Sequence, residues 1–91
     1  MVYINLRLNV ADYDRWRAVF DGMDPTRKGA GSTGVNQVYR DVENPNNVTL
    51  VLEWDNAANA KSFLANPKLK EAMDAAGVTG APMVAAVETR M

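Results

Sequence analysis

The chain predicts an α+β fold, a four-stranded antiparallel sheet with its helices on one face, in the order β-α-β-β-α-β. Three observations carry this. Residues 2–10 alternate without interruption, with Val2, Ile4, Leu6, Leu8 and Val10 on one side and Tyr3, Asn5, Arg7 and Asn9 on the other, the period of a strand whose faces meet different surroundings. The stretch VYRDVENPNNVTLVLEWDN, residues 38–56, sets two strand-like runs around a Pro- and Asn-rich turn and leads into a helix start. Two further segments, 13–23 and 60–76, repeat their apolar residues at helical spacing instead.

Asp12 is placed to cap the first helix, because its carboxylate can accept from amides that lack an intrahelical partner. Tyr13, Trp16, Val19, Phe20 and Met23 form the apolar stripe of that helix, opposite Asp14, Arg15, Arg17 and Asp21; the stripe reads as core rather than as a cofactor box. Gly22 and Pro25 predict a break near Asp24, since an interior proline removes a donor and clashes with the preceding turn. TRKGAGSTG, residues 26–34, is then expected to be an irregular connector. Strands follow over 35–42 and 48–54, and a four-residue loop from Asn44 to Asn47 would set Tyr39 opposite Leu52 and Val38 opposite Glu53. Asn56 caps the next helix, whose inner side is Ala60, Phe63 and Leu64. Asn66-Pro67 restarts it with proline at the first position, followed by Leu69, Ala72, Met73 and Ala76. Gly77 ends it, and residues 83–89 form the last strand.

Right-handed crossovers turn this order into a ferredoxin-like sandwich with strand order 4-1-3-2, one domain over residues 1–91. The face beneath the helices is expected to hold Val2, Ile4, Leu6, Leu8, Leu50, Leu52, Trp54, Met83, Ala85 and Val87. The other face then carries Tyr3, Asn5, Arg7, Val38, Arg40, Thr49, Val51, Glu53, Val84, Ala86 and Glu88. Trp54 and Tyr39 read as structural aromatics. A half-apolar face left uncovered calls for a partner, and a chain of 91 residues buries only about 60–65% of its unfolded surface alone. A homodimer packed through these faces is the expectation.

Composition narrows the chemistry. A net charge of −1, from 10 basic and 11 acidic residues, supplies no field for nucleic acid or an anionic membrane. The absence of cysteine and histidine removes disulfides, thiolate and imidazole metal ligands, and every triad built on His. Two carboxylates without histidine would suit only a hard cation left mostly to water, so no metal is expected. Asn5, Arg7 and Asn9 interrupt the N-terminal apolar run, which excludes a signal core or a membrane span there; a soluble, cytoplasmic protein is expected. Gly29 to Gly34 fits G-x-G-x-x-G, but a helix precedes it and a strand follows, the reverse of the phosphate-binding order. Asn47-Val48-Thr49 is a glycosylation sequon without a secretory context. RNA-recognition domains stack bases on aromatics of their central strands, and here the open face offers Tyr3 beside Glu53 and Glu88, so nucleic acid is rejected.

DYDRWRAVFD (12–21), VYRDVENPNNVTLVLEWDN (38–56) and AKSFLANPKLKEAMDAAGV (60–78) resemble the dimeric α/β-barrel superfamily, and within it small proteins related to the antibiotic biosynthesis monooxygenases. The resemblance covers most of the chain and implies two ferredoxin-like subunits packed sheet to sheet around a cavity. Monooxygenases of that family commonly show Glu-x-Trp before the second helix, a His within it, and Ser-Pro after. Here Leu52 stands at the Glu position, Trp54 keeps the Trp, Phe63 replaces the His and Asn66-Pro67 replaces Ser-Pro; the haem-degrading members need a His ligand. The departures from the family pattern favour a binder of a small metabolite between the sheets, or an interaction module, without a cofactor; Tyr3, Asn5, Arg7, Arg40, Glu53 and Glu88 are the candidate lining residues, and for Arg40 and Glu53 an ion pair or interface contact is the simpler reading. The alternative is a cofactor-free monooxygenase or isomerase acting on a small aromatic or enolisable compound. Arg7 would then hold an anionic or enolic oxygen, and Glu53 or Glu88 would handle a proton.

Overall fold

The computed structural model describes residues 1–89. The chain runs β1 (Val2–Val10), α1 (Tyr13–Gly22), α2 (Asp24–Ala30), β2 (Ser32–Arg40), β3 (Asn47–Trp54), α3 (Ala57–Ala65), α4 (Pro67–Ala75) and β4 (Val78–Glu88). The sheet order is β2-β3-β1-β4, with every neighbour antiparallel, the ferredoxin-like order expected from the sequence read from its other edge. Both helical crossovers are split in two.

Asp12 caps α1, its Oδ1 accepting from the amides of Asp14 at 3.0 Å and Arg15 at 3.3 Å. The break falls at Met23, but residues 24–30 are helical rather than an irregular connector. Pro25 lies in the first turn of α2, where its missing N–H has no acceptor to lose, and Asp24 pairs with Lys28 one turn on at 2.9 Å. Gly31 then turns the chain at φ 127° into β2.

The hairpin between β2 and β3 closes through residues 41–46, a longer loop than expected. Asp41 Oδ1 accepts from the amides of Glu43 and Asn44, and Asn44 Oδ1 from that of Asn46. Tyr39 consequently faces Thr49 and Val38 faces Leu50, three positions from the expected pairing, and an odd shift moves every side chain of a strand to the other face. Val38 therefore packs against the core, while Tyr39, expected to be structural, is 51% exposed on the open face. The last strand is also reversed. It starts at Val78, and an irregularity opposite the stretch from Arg7 to Asn9 brings Met83, Ala85 and Val87 into register with Arg7, Asn5 and Tyr3. Those three thus lie on the open face, and Val84 and Ala86 beside Leu6 and Ile4 on the helix side.

The core sits between sheet and helices. Ile4, Leu6, Leu8, Val10, Val48, Leu50, Leu52 and Trp54 rise from the two central strands to meet Trp16, Phe20, Ala60, Phe63 and Ala76. Leu64 packs against this cluster half-buried.

Candidate functional site

Each side of the sheet brings chemistry-bearing residues together. On the open face Tyr3 pairs with Glu53, Asn5 with Val51 and Arg7 with Thr49. Tyr3, Val35, Gln37, Val51, Glu53 and Val87 line a shallow hollow of about 280 Å³. Thr33 Oγ1 donates to Glu53 Oε1 at 2.9 Å, and Arg7 Nε donates to Asn47 Oδ1 at 3.4 Å. Of the six expected lining residues, Tyr3, Asn5, Arg7 and Glu53 share this face. Arg40 does not: it pairs with Val48, its guanidinium lies 3.9 Å from the ring centroid of Tyr13 on α1, and its Nε donates to the Pro45 carbonyl. Glu88 pairs with Val2 and so belongs to the helix-side row. Both reversals follow from the register shifts in the edge strands.

Beneath the helices lies a second cavity of about 70 Å³. Its floor is Leu6, Leu8, Leu50 and Leu52 of the sheet; its walls are Trp16, Val19, Phe20 and Met23 of α1, Phe63 of α3 and Arg27 of α2; its roof is Leu69, Ala72 and Met73 of α4. The roof is lightly seated, since those three residues are only half-buried and the rest of α4 is exposed.

Among the described residues Arg27 is the one charged group in this apolar wall, and it is 5% exposed. Its guanidinium stacks on Phe20, 3.8 Å from the ring centroid. Nη1 donates to the Phe20 carbonyl at 2.7 Å, an acceptor near the end of α1, and Nη2 reaches Asp24 Oδ1 at 3.5 Å. Its Nε is buried with no hydrogen-bond partner among the described residues. Burial lowers the Arg27 pKa, opposed by the Asp24 and Asp21 carboxylates, and an arginine remains protonated under such a change. Asp24 is itself held below the ordinary carboxylate range, chiefly by its hydrogen bond to Lys28. Sequence reasoning missed Arg27 because a single arginine after a proline has no periodic signature, and α2 was expected to be irregular.

The glycine string does structural work at the end of α2. A Cβ on Gly31 would come within 2.6 Å of Asp55 Oδ1 and 2.7 Å of Trp54 Nε1, so a bare backbone is what lets the Trp54 indole donate to the Ala30 carbonyl. Among the described residues no group of three or more His, Cys, Asp or Glu is placed to hold a metal ion, and no helix is long and apolar enough to cross a membrane.

No protein-family model matches the chain, and no curated protein matches it significantly. Solved structures do. One is a protein of Bordetella bronchiseptica described as a candidate antibiotic biosynthesis monooxygenase, with a TM-score of 0.77 at 18% identity over 99% of this chain and 97% of that one. A second is SnoaB of Streptomyces nogalater, described as a cofactor-independent oxygenase, at 0.76 and 16% over 99% and 93%. A third, from Deinococcus radiodurans and described like the first, gives 0.70 and 22% over 100% and 94%. Identities this low establish a shared fold, the one the sequence resemblance implied.

Proposed function

We propose that this protein binds a small, mainly apolar organic compound in the cavity between sheet and helices, as a cytoplasmic homodimer joined through the open sheet faces. The observation that carries the binding reading is the cavity itself. Protein interiors are close-packed, and an unfilled space walled by Trp16, Phe20 and Phe63 forfeits contacts that an apolar guest would restore. Ligand pockets usually measure about 300–1,000 Å³, so a guest of more than a few atoms must displace the roof, and α4 is the helix least anchored to do so. The dimer reading rests on the open face, where Val35, Tyr39, Met83 and Val87 are exposed.

The cavity favours binding over catalysis. Among the described residues its lining contains no Asp, Glu, His, Lys, Cys or Tyr, so an oxygenase or isomerase reaction there would lack a side chain to take or give a proton. A second reading, a ligand held between two sheets, is supported by the hollow that includes Tyr3 and Glu53, which a second copy would roof.

Titration of the protein with toluene, followed by NMR, separates these. The reading expects saturable shifts confined to Trp16, Phe20, Phe63 and α4, abolished by Ala72→Trp. Shifts confined to Tyr3, Val51 and Val87 would transfer the site to the intersheet space, and no saturable shift anywhere would end the binding proposal.

A further inference from the structure

We propose that the unpaired Nε of Arg27 makes the cavity selective for an apolar compound bearing one anionic oxygen group, a carboxylate or a phenolate. This rests on the binding reading above and names its ligand class.

The position of Arg27 is the first reason. It lies on a short surface helix whose next residue, Lys28, keeps a side chain 56% exposed, so solvent was within reach of a long flexible stem. Instead the guanidinium is folded inward over Phe20 at 5% exposure. A buried donor on a charged group is costly without an acceptor, and Nε has none among the described residues.

The charge balance is the second. Asp24 is the nearest counter-charge, but its contact with Nη2 is long, 3.5 Å, whereas its other oxygen meets Lys28 at 2.9 Å. One carboxylate thus serves two cations, and the cavity wall keeps a net positive charge. Geometry completes the argument. Nη1 is committed to the Phe20 carbonyl at 2.7 Å, while Nε and Nη2 form the edge of the guanidinium that donates two parallel bonds to a carboxylate. Nε has almost no accessible surface, so an anion reaches it only as the guanidinium turns toward the space beneath α4; there it would satisfy Nε and replace the weak Asp24 contact, its apolar body against Trp16, Phe20 and Phe63.

The test uses two probes of one shape, benzoate and benzamide, titrated into the intact protein at neutral pH. In wild type, benzoate is expected to bind at least tenfold more tightly, a factor within the range of one charge-assisted hydrogen bond. The Arg27 Nε–H resonance should move on adding benzoate, and further than with benzamide, whose neutral carbonyl is the weaker acceptor. Arg27→Met should remove the preference for benzoate over benzamide. Equal affinities in wild type, a still Nε–H signal at benzoate saturation, or an undiminished preference in Arg27→Met would each overturn the proposal while the cavity reading stands. If neither probe binds, both fall. The wild-type resonance decides the matter even if Arg27→Met does not fold.

Discussion

The ring of Phe63 meets the indole of Trp54 with centroids 4.8 Å apart and planes inclined by 41°. The same indole donates from Nε1 to the Ala30 carbonyl at 3.2 Å, so one fully buried side chain of β3 holds α3 by packing and the end of α2 by a hydrogen bond. Aromatic pairs of this inclined kind contribute beyond the area they bury. Phe63 stands where the sequence resemblance implies a histidine in monooxygenases, and here the position supports the core.

Phe63→Ala should therefore cost about 3–5 kcal/mol, the range for emptying a large buried aromatic site. Urea denaturation followed by Trp fluorescence measures it. An unchanged midpoint would mean that the ring does not pack in the core.

Gly31→Ala should destabilise by about 1–3 kcal/mol, as expected for an L-residue forced into a sparsely populated backbone region. Two causes add at this site, the φ of 127° and the approach to Trp54 and Asp55. Gly29→Ala meets nothing within 4 Å and lies within α2, where alanine is the better helix former. Thermal melts of the two variants should thus move in opposite directions, and a loss in Gly29→Ala equal to that in Gly31→Ala would contradict the assignment.

Acid should loosen the β2–β3 loop late. The Asp41 carboxylate accepts from the Glu43 and Asn44 amides, which hold its pKa below the ordinary value. A folded value depressed below the unfolded one, about 3.9, means that the contribution is complete above the unfolded value and disappears as pH falls through the folded one. An NMR titration of the Asp41 carboxyl carbon should give a midpoint below that of an unfolded Asp. A midpoint at or above it would show that the two amides do not hold the charge.

Val51→Lys should disrupt the proposed dimer. Val51 lies mid-sheet on the open face, between Asn5 and Gln37, and a charge at the centre of a self-complementary contact is met by the same charge across the two-fold axis. Light scattering should report twice the chain mass for wild type and the chain mass for the variant. A wild-type monomer at micromolar concentration would remove the dimer from the proposed function.

The residue pattern alone settles every element except α2, together with the strongly contrasted faces. β1 and β3 alternate with enough hydrophobic contrast that only one orientation buries their apolar side, so Ile4, Leu6, Leu50, Leu52 and Trp54 were assignable to the core, and Tyr3, Asn5, Arg7 and Glu53 to the open face. The caps Asp12 and Asn56 were legible because capping depends on neighbours two and three residues away. The edge strands were not, and the tertiary structure decided them. In β4 the rows Met83-Ala85-Val87 and Val84-Ala86 are almost equally apolar, so the face is set by where the bulge falls opposite β1. In β2 it is set by the loop, where hydrogen bonds from Asp41 and Asn44 lengthen the turn and carry Arg40 away from the proposed intersheet site. Arg27 lay furthest beyond the sequence, because its significance depends on Phe20, Asp24 and the space beneath α4, and burial of a long side chain is a property of everything packed around it.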